Sequence, residues 1–519
     1  ILSALHIKDL RLYRHPFRFG RDNSLDLIAK FGDRWTESIS TLNSAGWRIV
    51  RQYLQIYPSQ KIKLSKNKYK WIAEDLKLVF GRKSRGSRLK AEKILENTAD
   101  FFKLIDLVRL CDVQVTTSNV LDLIRHFQIE KVYEPDKLTG WIQQCLKIGE
   151  QQAINKQCFD FVEQVWLPTH WKLQDESWVK PYKFVLVDEC QDLNKAQLNL
   201  VKLLAGNEGR ILSVGDPSQA VFGFAGADDN SYYNVVKETK AVELPLSICY
   251  RCPTSHIKLV KNQFPHIPIE AAENAVEGII NQIEPEKIYE YIKDKDMVLG
   301  RKTAPLVSLC IKLISQGKKA IVKGKSIGEN LSKEVEQIAL NPIYTWKLFI
   351  DCLEKYRHLK TTQYQELDNK EELIESMNDK LNAIATIYDS IPYATSVDDL
   401  YKEITKLFSD NDAPITLSTI HRAKGLEAER IFIWHPEHMP MRWRDQLEWQ
   451  LEQEKNLLYV ALTRSKSELY ICGECDWFKP EFINVSEINS TEIENYYLRS
   501  KRLQLEEELD LMYSDEDYF

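Results

Sequence analysis

The sequence lacks the features that would remove it from the ordinary globular class. No apolar run reaches the length of a membrane-spanning helix, and residues 1–9 carry no basic lead-in of the kind that begins a secretory signal peptide. Neither an internal repeat nor a low-complexity tract interrupts the 519 residues. At that length we expect several domains or subdomains, with no membrane among the partners.

Cysteine is scarce as well. Ten cysteines are scattered along the chain, which is too few for a disulfide scaffold, and we therefore expect a cytoplasmic location. Two C-x-x-C pairs, Cys249/Cys252 and Cys472/Cys475, would leave a four-thiolate zinc site open if they met in space. The first pair lies in a motif that has another explanation.

Charge of one sign is concentrated in two stretches, although the net charge is only −6. Between Lys61 and Lys93 there are twelve Lys or Arg and three acids, so this stretch is either a phosphate-contact surface or a solvated helix face. Residues 506–519 carry seven acids and no Lys or Arg. We expect a mostly disordered tail there, one that could bind a protein partner.

Apolar runs of strand length alternate with helical patterns along the chain. The runs include residues 184–187 and 210–214, and the pattern resumes near residues 296–299 and 415–433. This alternation predicts an α/β fold with parallel sheets. The domains that we predict are a first lobe (1–55 and 171–255) with a helical insertion (56–170), a second lobe (256–334 and 409–480) with a short helical insertion (335–408), and the acidic tail (481–519).

The strongest local signal is the segment F-V-L-V-D-E-C-Q-D at residues 184–192. An apolar strand delivers Asp188 and Glu189 to the C-terminal edge of a parallel sheet, where ligands bind in such folds. One carboxylate can hold Mg²⁺, and the next can orient and deprotonate a water that attacks a phosphate. A strand that simply ends in a polar turn is the alternative.

A second segment, at residues 215–228, reads G-D-P-S-Q-A-V-F-G-F-A-G-A-D. Together the two segments resemble the second and third motifs of the UvrD/Rep helicases of superfamily 1. The resemblance implies two RecA-like lobes that bind ATP and Mg²⁺, with Asp188 as the metal ligand and Gln219 as the sensor of the γ-phosphate.

The same resemblance places Phe222 and Phe224 against the nucleic acid, where a ring can stack on an unpaired base. Without the motif around them, two phenylalanines at this spacing would indicate core packing. Ala225 stands where many relatives carry Arg, which puts any contact made by that arginine in doubt.

Two later segments resemble the family's fourth and sixth motifs. L-P-L-S-I-C-Y-R ends at Arg251, and L-L-Y-V-A-L-T-R ends at Arg464. The resemblance implies that Tyr250 stacks on adenine and that both arginines reach the γ-phosphate, where guanidinium groups offset charge during phosphoryl transfer. Cys249 replaces the usual Asn. Taken singly, each arginine could instead form an ordinary surface ion pair.

The segment T-L-S-T-I-H-R-A-K-G-L-E, ending at Glu427, resembles the fifth motif. The resemblance places Thr419 and His421 on the DNA backbone, and Gly425 and Glu427 at the nucleotide, with Glu427 near the ribose. His421 alone would more often be a structural histidine.

An upstream segment, S-T-L-N-S-A-G-W at residues 40–47, resembles an early family element. The resemblance implies that Thr41, Asn43 and Ser44 contact the single strand. Small polar residues before a helix also form an ordinary N-terminal cap, so that alternative stays open.

The phosphate-binding pattern G-x-x-x-x-G-K-[ST] has no match before Thr41. Residues 324–326 read G-K-S, but the first glycine of the pattern would fall at Lys319, and the segment follows the fourth motif, so we interpret it as a turn. We expect that the sequence begins just after the true loop. If it does not, the protein is an inactive relative.

The sequence therefore predicts an ATP-dependent enzyme that moves along single-stranded DNA and unwinds duplex DNA. By resemblance it would move 3′ to 5′, in replication, repair or recombination, and its partners would be single strands and single-strand/duplex junctions. A nucleic-acid-binding protein without ATPase activity and a translocase that strips proteins from DNA are the alternatives.

Overall fold

The computed structural model describes residues 10–14, 39–57, 59–78, 98–129, 132, 134–223, 230–340, 344–365, 370–409, 413–444 and 446–479, with only the backbone of residues 10–14, 98 and 409. The predictions made for Phe224, Ala225, the acidic tail and the second half of the basic stretch lie outside the described residues.

The first half of the chain alternates short strands with helices. In chain order its elements are β1 (Leu10–Arg14), β2 (Ile39–Thr41), α1 (Leu42–Tyr53), β3 (Lys63–Leu64), α2 (Lys68–Asp75), α3 (Thr98–Leu110), α4 (Thr117–His126), α5 (Pro135–Ile154), β4 (Cys158–Phe159), α6 (Glu163–His170), β5 (Phe184–Asp188), α7 (Lys195–Ala205), β6 (Arg210–Ser213), α8 (Ser231–Thr239), β7 (Ile248–Cys249) and α9 (Thr254–Gln263).

The second half has the same character. Its elements are β8 (Glu270–Ala271), β9 (Ile279–Ile283), α10 (Ile288–Tyr291), β10 (Met297–Gly300), α11 (Thr303–Ser315), β11 (Ala320–Lys323), α12 (Lys325–Ala339), α13 (Phe349–Tyr364), α14 (Lys370–Asp389), α15 (Val397–Leu407), β12 (Phe408–Ser409), β13 (Ile415–Thr419), α16 (Ile420–Ala423), β14 (Ala428–Trp434), α17 (Glu448–Leu462) and β15 (Ser465–Cys472).

The first lobe is built on a parallel sheet with the strand order β2-β1-β5-β6. The central strand β5 buries Val185, Leu186 and Val187, because a strand covered on both faces carries apolar side chains in both directions. At the far side, no described strand pairs with the outer edge of β6, and Leu212 remains 46% exposed there.

The second lobe is built on seven parallel strands in the order β12-β11-β13-β10-β14-β15-β9. One face of this sheet packs into a core that contains Val298 and Leu417, and the other into a core that contains Leu299 and Ile433. Alternate residues of one strand thus enter opposite cores. The predicted α/β class with parallel sheets is confirmed.

The helices after β11 do not form a separate core. Leu331 of α12, Leu353 of α13, Leu381 of α14 and Leu400 of α15 all join the core on one face of the second sheet. Three predicted boundaries also fall inside elements: the one after residue 255 inside α9, the one after 334 inside α12, and the one after 408 inside β12. The short second insertion therefore packs as an extension of its lobe.

The first insertion has a helical core of its own, formed by α2 to α5. Beside that core lies a buried ion pair, in which Lys68 Nζ donates to Glu163 Oε1 at 2.6 Å and neither side chain is exposed. Arg109 donates to Asp160 at 2.7 Å in the same network. Lys68 is therefore a buried, paired lysine. The prediction that it belongs to a phosphate-contact surface or a solvated helix face was wrong for this residue.

Two further predictions concern single segments. Residues 324–326, which we interpreted as a turn, instead join β11 to α12. Gly324, with φ +135°, is the single residue between them, and Lys325 and Ser326 belong to the first turn of the helix. Among the described helices, none is both long and apolar enough to cross a membrane.

Candidate functional site

The acidic pair lies where β5 ends. Asp188 is the last residue of the strand, and Glu189 follows in the left-handed conformation with φ +56°. A non-glycine residue is uncommon in this region. Gln191 Nε2 donates to Glu189 Oε2 at 2.7 Å and holds the carboxylate in place.

The loop after β6 approaches the acidic turn closely at Gly215. A Cβ atom on Gly215 would lie 2.5 Å from the sulfur of Cys190 and 2.6 Å from Oε1 of Gln191, so only glycine fits there. The next residue completes the contact, because the Asp216 backbone N–H donates to Gln191 Oε1 at 3.0 Å. The second and third sequence motifs therefore form one rigid unit.

Gln219 lies at the junction of the two lobes. Its Nε2 donates to Asp216 Oδ2 at 2.8 Å within the first lobe. From the second lobe, Arg464 Nη2 donates to Gln219 Oε1 at 3.4 Å, and Lys424 Nζ donates to the backbone oxygen of Gln219 at 2.6 Å. One side chain thus contacts both lobes at the position predicted for the γ-phosphate sensor.

Arg464 carries a buried charge that forms no ion pair with any carboxylate of the described residues. Its side chain is 1% exposed, and its guanidinium donates to Val460 O, Thr463 Oγ1 and Gln219 Oε1. Within the described ranges, no carboxylate lies close enough to form an ion pair with it. Burial, aided by the nearby Arg251, lowers the pKa of Arg464 to about 10, so the group is still charged at neutral pH. Such a charge favours an anionic ligand.

Arg251 and Glu427 form a second group close to Arg464. Arg251 Nε donates to Glu427 Oε2 at 2.7 Å, and Lys466 Nζ lies 2.7 Å from Glu427 Oε1. Partial burial raises the pKa of Glu427, but the hydrogen bonds from Lys466 and Arg251 outweigh it and hold the pKa below its usual value. Tyr250, the predicted adenine platform, is 82% exposed, so a planar group can reach its ring.

One buried contact between the lobes was not predicted. Lys424 Nζ donates to both oxygens of Asp192, at 2.7 and 2.6 Å, and lies 3.7 Å from Glu189 Oε2. The exposed fractions of the Lys424 and Asp192 side chains are 3% and 5%. Both residues lie in motifs that the sequence displays, D-E-C-Q-D and A-K-G-L-E, but nothing in the sequence indicates that they pair.

The two C-x-x-C pairs do not form a metal site. In the part of the chain that the structure describes, the only group of three or more potential ligands lies elsewhere, so the four-thiolate alternative was wrong. Cys249 instead accepts a hydrogen bond from Cys252, which lowers the pKa of Cys249 to about 5. The same bond and burial raise the pKa of Cys252 well above its usual value.

The early polar element forms the N-terminal cap of α1. Thr41 Oγ1 accepts from the Ser44 backbone N–H at 3.2 Å, and Asn43 Nδ2 donates to the Phe161 backbone oxygen at 2.9 Å. The cap that the sequence left open is therefore present. The predicted DNA contacts of Thr41, Asn43 and Ser44 remain proposals.

The remaining predicted contacts lie around the junction of the lobes. Phe222 is half-buried, with Lys424 Nζ 5.3 Å from the centre of its ring, and Thr419 is buried at the end of β13. Burial, aided by Arg301, lowers the pKa of His421 to about 3, so this imidazole is neutral. Gly425 has φ +73° at the exposed turn that follows Lys424.

Comparison with known proteins agrees with this arrangement. Residues 29–240 match the model of the UvrD/REP helicase N-terminal domain, and residues 414–472 match that of the UvrD-like helicase C-terminal domain. Together the two matches cover just over half of the chain.

Individual relatives are similar at lower identity. A probable DNA helicase II homolog of Mycoplasma genitalium is 23% identical over 66% of this chain and 61% of its own length. A second, of Mycoplasma capricolum, is 25% identical over 57% of this chain and 55% of its own length. A DNA helicase II of Haemophilus influenzae is 39% identical over 14% of this chain and 10% of its own length. The chain thus spans between about half and three fifths of the first two proteins.

The two family matches contain most of the residues described above. Asp188, Glu189 and Gln219 fall in the first, and Glu427 and Arg464 fall in the second. The chain therefore belongs to the UvrD/Rep-like helicases of superfamily 1.

Proposed function

We propose that the protein hydrolyses ATP between its two lobes and uses the energy to move along single-stranded DNA and unwind duplex DNA. The observation that carries the proposal is the buried guanidinium of Arg464, which has Gln219 of the other lobe and no carboxylate as its partner among the described residues. A desolvated charge of this kind fits the γ-phosphate of a nucleotide in the cleft.

The first lobe supplies the acidic groups. Asp188 is a half-buried carboxylate at the C-terminal edge of a parallel sheet, and it fits a Mg²⁺ ligand because hard cations prefer oxygen donors. The chemistry that a bound Mg²⁺ supplies is neutralisation of charge on the phosphate oxygens. Glu189, held by Gln191, would orient the attacking water and accept its proton.

Two arginines supply the cations: Arg464 of the second lobe, and Arg251, which donates to Glu427 of that lobe. Arg251 and Arg464 would stabilise the charge on the γ-phosphoryl oxygens, and Gln219 would report whether that group is present. Because these groups lie on opposite sides of the cleft, hydrolysis would require the lobes to be closed. The same dependence would couple each turnover to a relative movement of the lobes, which is the basis of stepping along DNA.

The nucleic-acid path would follow the residues around the junction. Phe222 would stack on an unpaired base, and Thr419 and His421 would contact the sugar-phosphate backbone. Stacking on aromatic rings is worth about 1–3 kcal/mol per base and tolerates any sequence, as a motor requires. By resemblance, the direction of movement is 3′ to 5′.

The test uses the whole protein that contains this chain. Phosphate release from ATP should rise when single-stranded DNA is added, and duplexes with a 3′ single-stranded tail should be unwound. Glu189→Gln should abolish phosphate release while leaving nucleotide binding intact. Glu208→Gln, at an exposed glutamate in the turn before β6, is the matched control and should leave the rate unchanged.

Two results would replace the proposal. DNA binding without hydrolysis in the whole protein would indicate a helicase-like binding protein. DNA-stimulated hydrolysis with no strand separation, but with displacement of a protein bound to the strand, would indicate a stripping translocase.

A further inference from the structure

Three potential metal ligands converge where β14 ends. The segment His435-Pro436-Glu437-His438 turns sharply after the strand, and ligand atoms of His435, Glu437 and His438 all lie within 4.8 Å of one another. His435 Nδ1 lies 2.7 Å from Glu437 Oε1. The two imidazole rings are stacked, with their centres 5.4 Å apart. A single turn of chain therefore presents two nitrogens and one carboxylate to the same point.

One of these side chains has an unsatisfied polar atom. Nδ1 of His438 is shielded from solvent and has no hydrogen-bond partner in the structure. An enclosed polar atom without a partner is unfavourable, and in native proteins it often marks a missing ion or water. Nδ1 of His438 is thus available to bind an ion.

Tertiary contacts hold the turn against the end of the adjacent strand. Trp434 of β14 is in register with Cys472 of β15, and Trp477 Nε1 donates to the Pro436 backbone oxygen at 3.2 Å. The turn therefore lies at the C-terminal end of β14, a strand inside the sheet, and the Trp477 side chain holds the backbone of Pro436 in place. A site whose ligands are held before the ion arrives loses less ordering entropy on binding.

Glu437 and His438 open onto a cavity of about 1300 Å³. Its lining contains six carboxylate side chains and three Lys or Arg, so the cavity favours a cation. None of the residues proposed for the nucleotide lines it. The cluster is thus separate from the ATP site.

We propose that His435, Glu437 and His438 bind a divalent transition-metal ion of the zinc class. Two imidazoles and one carboxylate form the donor set of zinc sites that keep an open position. That position would face the cavity and hold a water or a small anionic ligand. The inference does not depend on ATP hydrolysis.

Cobalt(II) titration of the whole protein, freed of metal and of any histidine tag, tests this site. Co²⁺ should give a saturable visible absorption at one ion per chain, and Zn²⁺ should displace it. Loss of a residue that only orients a ligand weakens metal binding about 10–100-fold, so His435→Gln and His438→Gln should each weaken it at least that much.

Two variants keep the test decisive. Glu437→Gln changes a side chain that is 47% exposed, so the variant should fold normally and still lose metal affinity. His266→Gln removes a histidine that lines the same cavity outside the cluster, and it should bind Co²⁺ like the parent protein. The proposal is overturned if no saturable spectrum appears, if Glu437→Gln binds like the parent, or if His266→Gln loses as much affinity as the cluster variants.

Discussion

Lys424 of the second lobe donates to both carboxylate oxygens of Asp192 of the first lobe, at 2.7 and 2.6 Å, with almost no exposure of either side chain. A buried ion pair adds little net stability by itself, but removing one partner leaves an uncompensated charge. Because its two members belong to different lobes, the pair can form only where the lobes are in contact.

The first prediction follows from that pair. Lys424→Met should lower the free energy of unfolding by about 3–5 kcal/mol, and the double variant with Asp192→Asn should lose less than the sum of the single changes. Lys402→Met removes a lysine that is 77% exposed and paired to Asp399, and as the control it should change stability by about 1 kcal/mol or less. Urea unfolding measures the free energy of unfolding of Lys424→Met, Asp192→Asn, the double variant and the control. If the losses of the two single variants added up to that of the double variant, Lys424 and Asp192 would not be coupled.

The second prediction concerns the buried guanidinium of Arg464. Arg464→Lys keeps a positive charge but loses the fixed fork of donors, so kcat for ATP should fall by about 10³-fold or more. Arg125→Lys, at an exposed arginine of α4, is the control. Phosphate release in the presence of single-stranded DNA gives kcat and KM. An unchanged kcat with a raised KM would assign Arg464 to nucleotide binding alone.

The third prediction concerns the thiol of Cys249. Because a hydrogen bond from Cys252 lowers its pKa to about 5, Cys249 should be a thiolate at neutral pH. Its alkylation by iodoacetamide should rise through pH 5 and level off by pH 7, whereas an ordinary thiol rises through about pH 8.5. Mass spectrometry locates the label, and Cys249→Ser should remove it.

The matched variants for that experiment are Cys252→Ala and Cys111→Ser. Cys252→Ala deletes the donor and should shift the midpoint of Cys249 alkylation to higher pH. Cys111→Ser changes a half-buried cysteine elsewhere and should leave the midpoint in place. A midpoint near pH 8.5 in the parent protein would contradict the hydrogen-bonded thiolate.

The fourth prediction concerns the buried pair in the first insertion. Lys68→Met leaves Glu163 enclosed and unpaired from its lysine, so we expect a loss of about 3–5 kcal/mol in unfolding free energy. Lys66→Met, at an exposed lysine two positions earlier, should be nearly neutral. Thermal and urea unfolding measure the stability of both variants. If Lys68→Met and Lys66→Met lowered the free energy of unfolding equally, the buried Lys68–Glu163 pair would not contribute to stability as expected.

The fifth prediction concerns pH. Burial lowers the pKa of His421 to about 3, so the neutral imidazole is the form present at every pH above about 4. Because burial disfavours the charged imidazolium, His421 should not change its protonation state between pH 5 and 8. DNA affinity should therefore show no pH-dependent change that comes from this residue over that range. Fluorescence anisotropy of His421→Gln should give a pH profile parallel to that of the parent. A step near pH 6.5 in the parent that is lost in the variant would be the contrary result.

The order of the motifs and the strand-then-acid pattern were sufficient to place the catalytic candidates. An apolar run followed by two acids must put those acids at the C-terminal edge of a sheet, because parallel strands share one direction. For that reason Asp188 and Glu189 lie together at the end of β5. Gln191 connects Glu189 to Asp216, which accepts a hydrogen bond from Gln219. The α/β class follows from the same alternation.

Contacts between residues far apart in the chain were not predictable in this way. Lys68 looked like one member of a basic surface, yet packing of α2 against residue 163 buries it. Likewise, no pattern in the sequence indicates that the Asn43 amide donates to the Phe161 backbone oxygen. Side-chain patterns record local periodicity, whereas partners at long range are set by how helices pack over the sheets.

The sequence by itself thus determined the family and the parallel-sheet architecture, because each depends on short segments with a fixed local geometry. Only the tertiary structure decided that Lys424 of the second lobe pairs with Asp192 of the first, and that the turn from His435 to His438 lies beside an acidic cavity. These relationships depend on closing the two lobes and aligning β14 with β15, which no local pattern specifies.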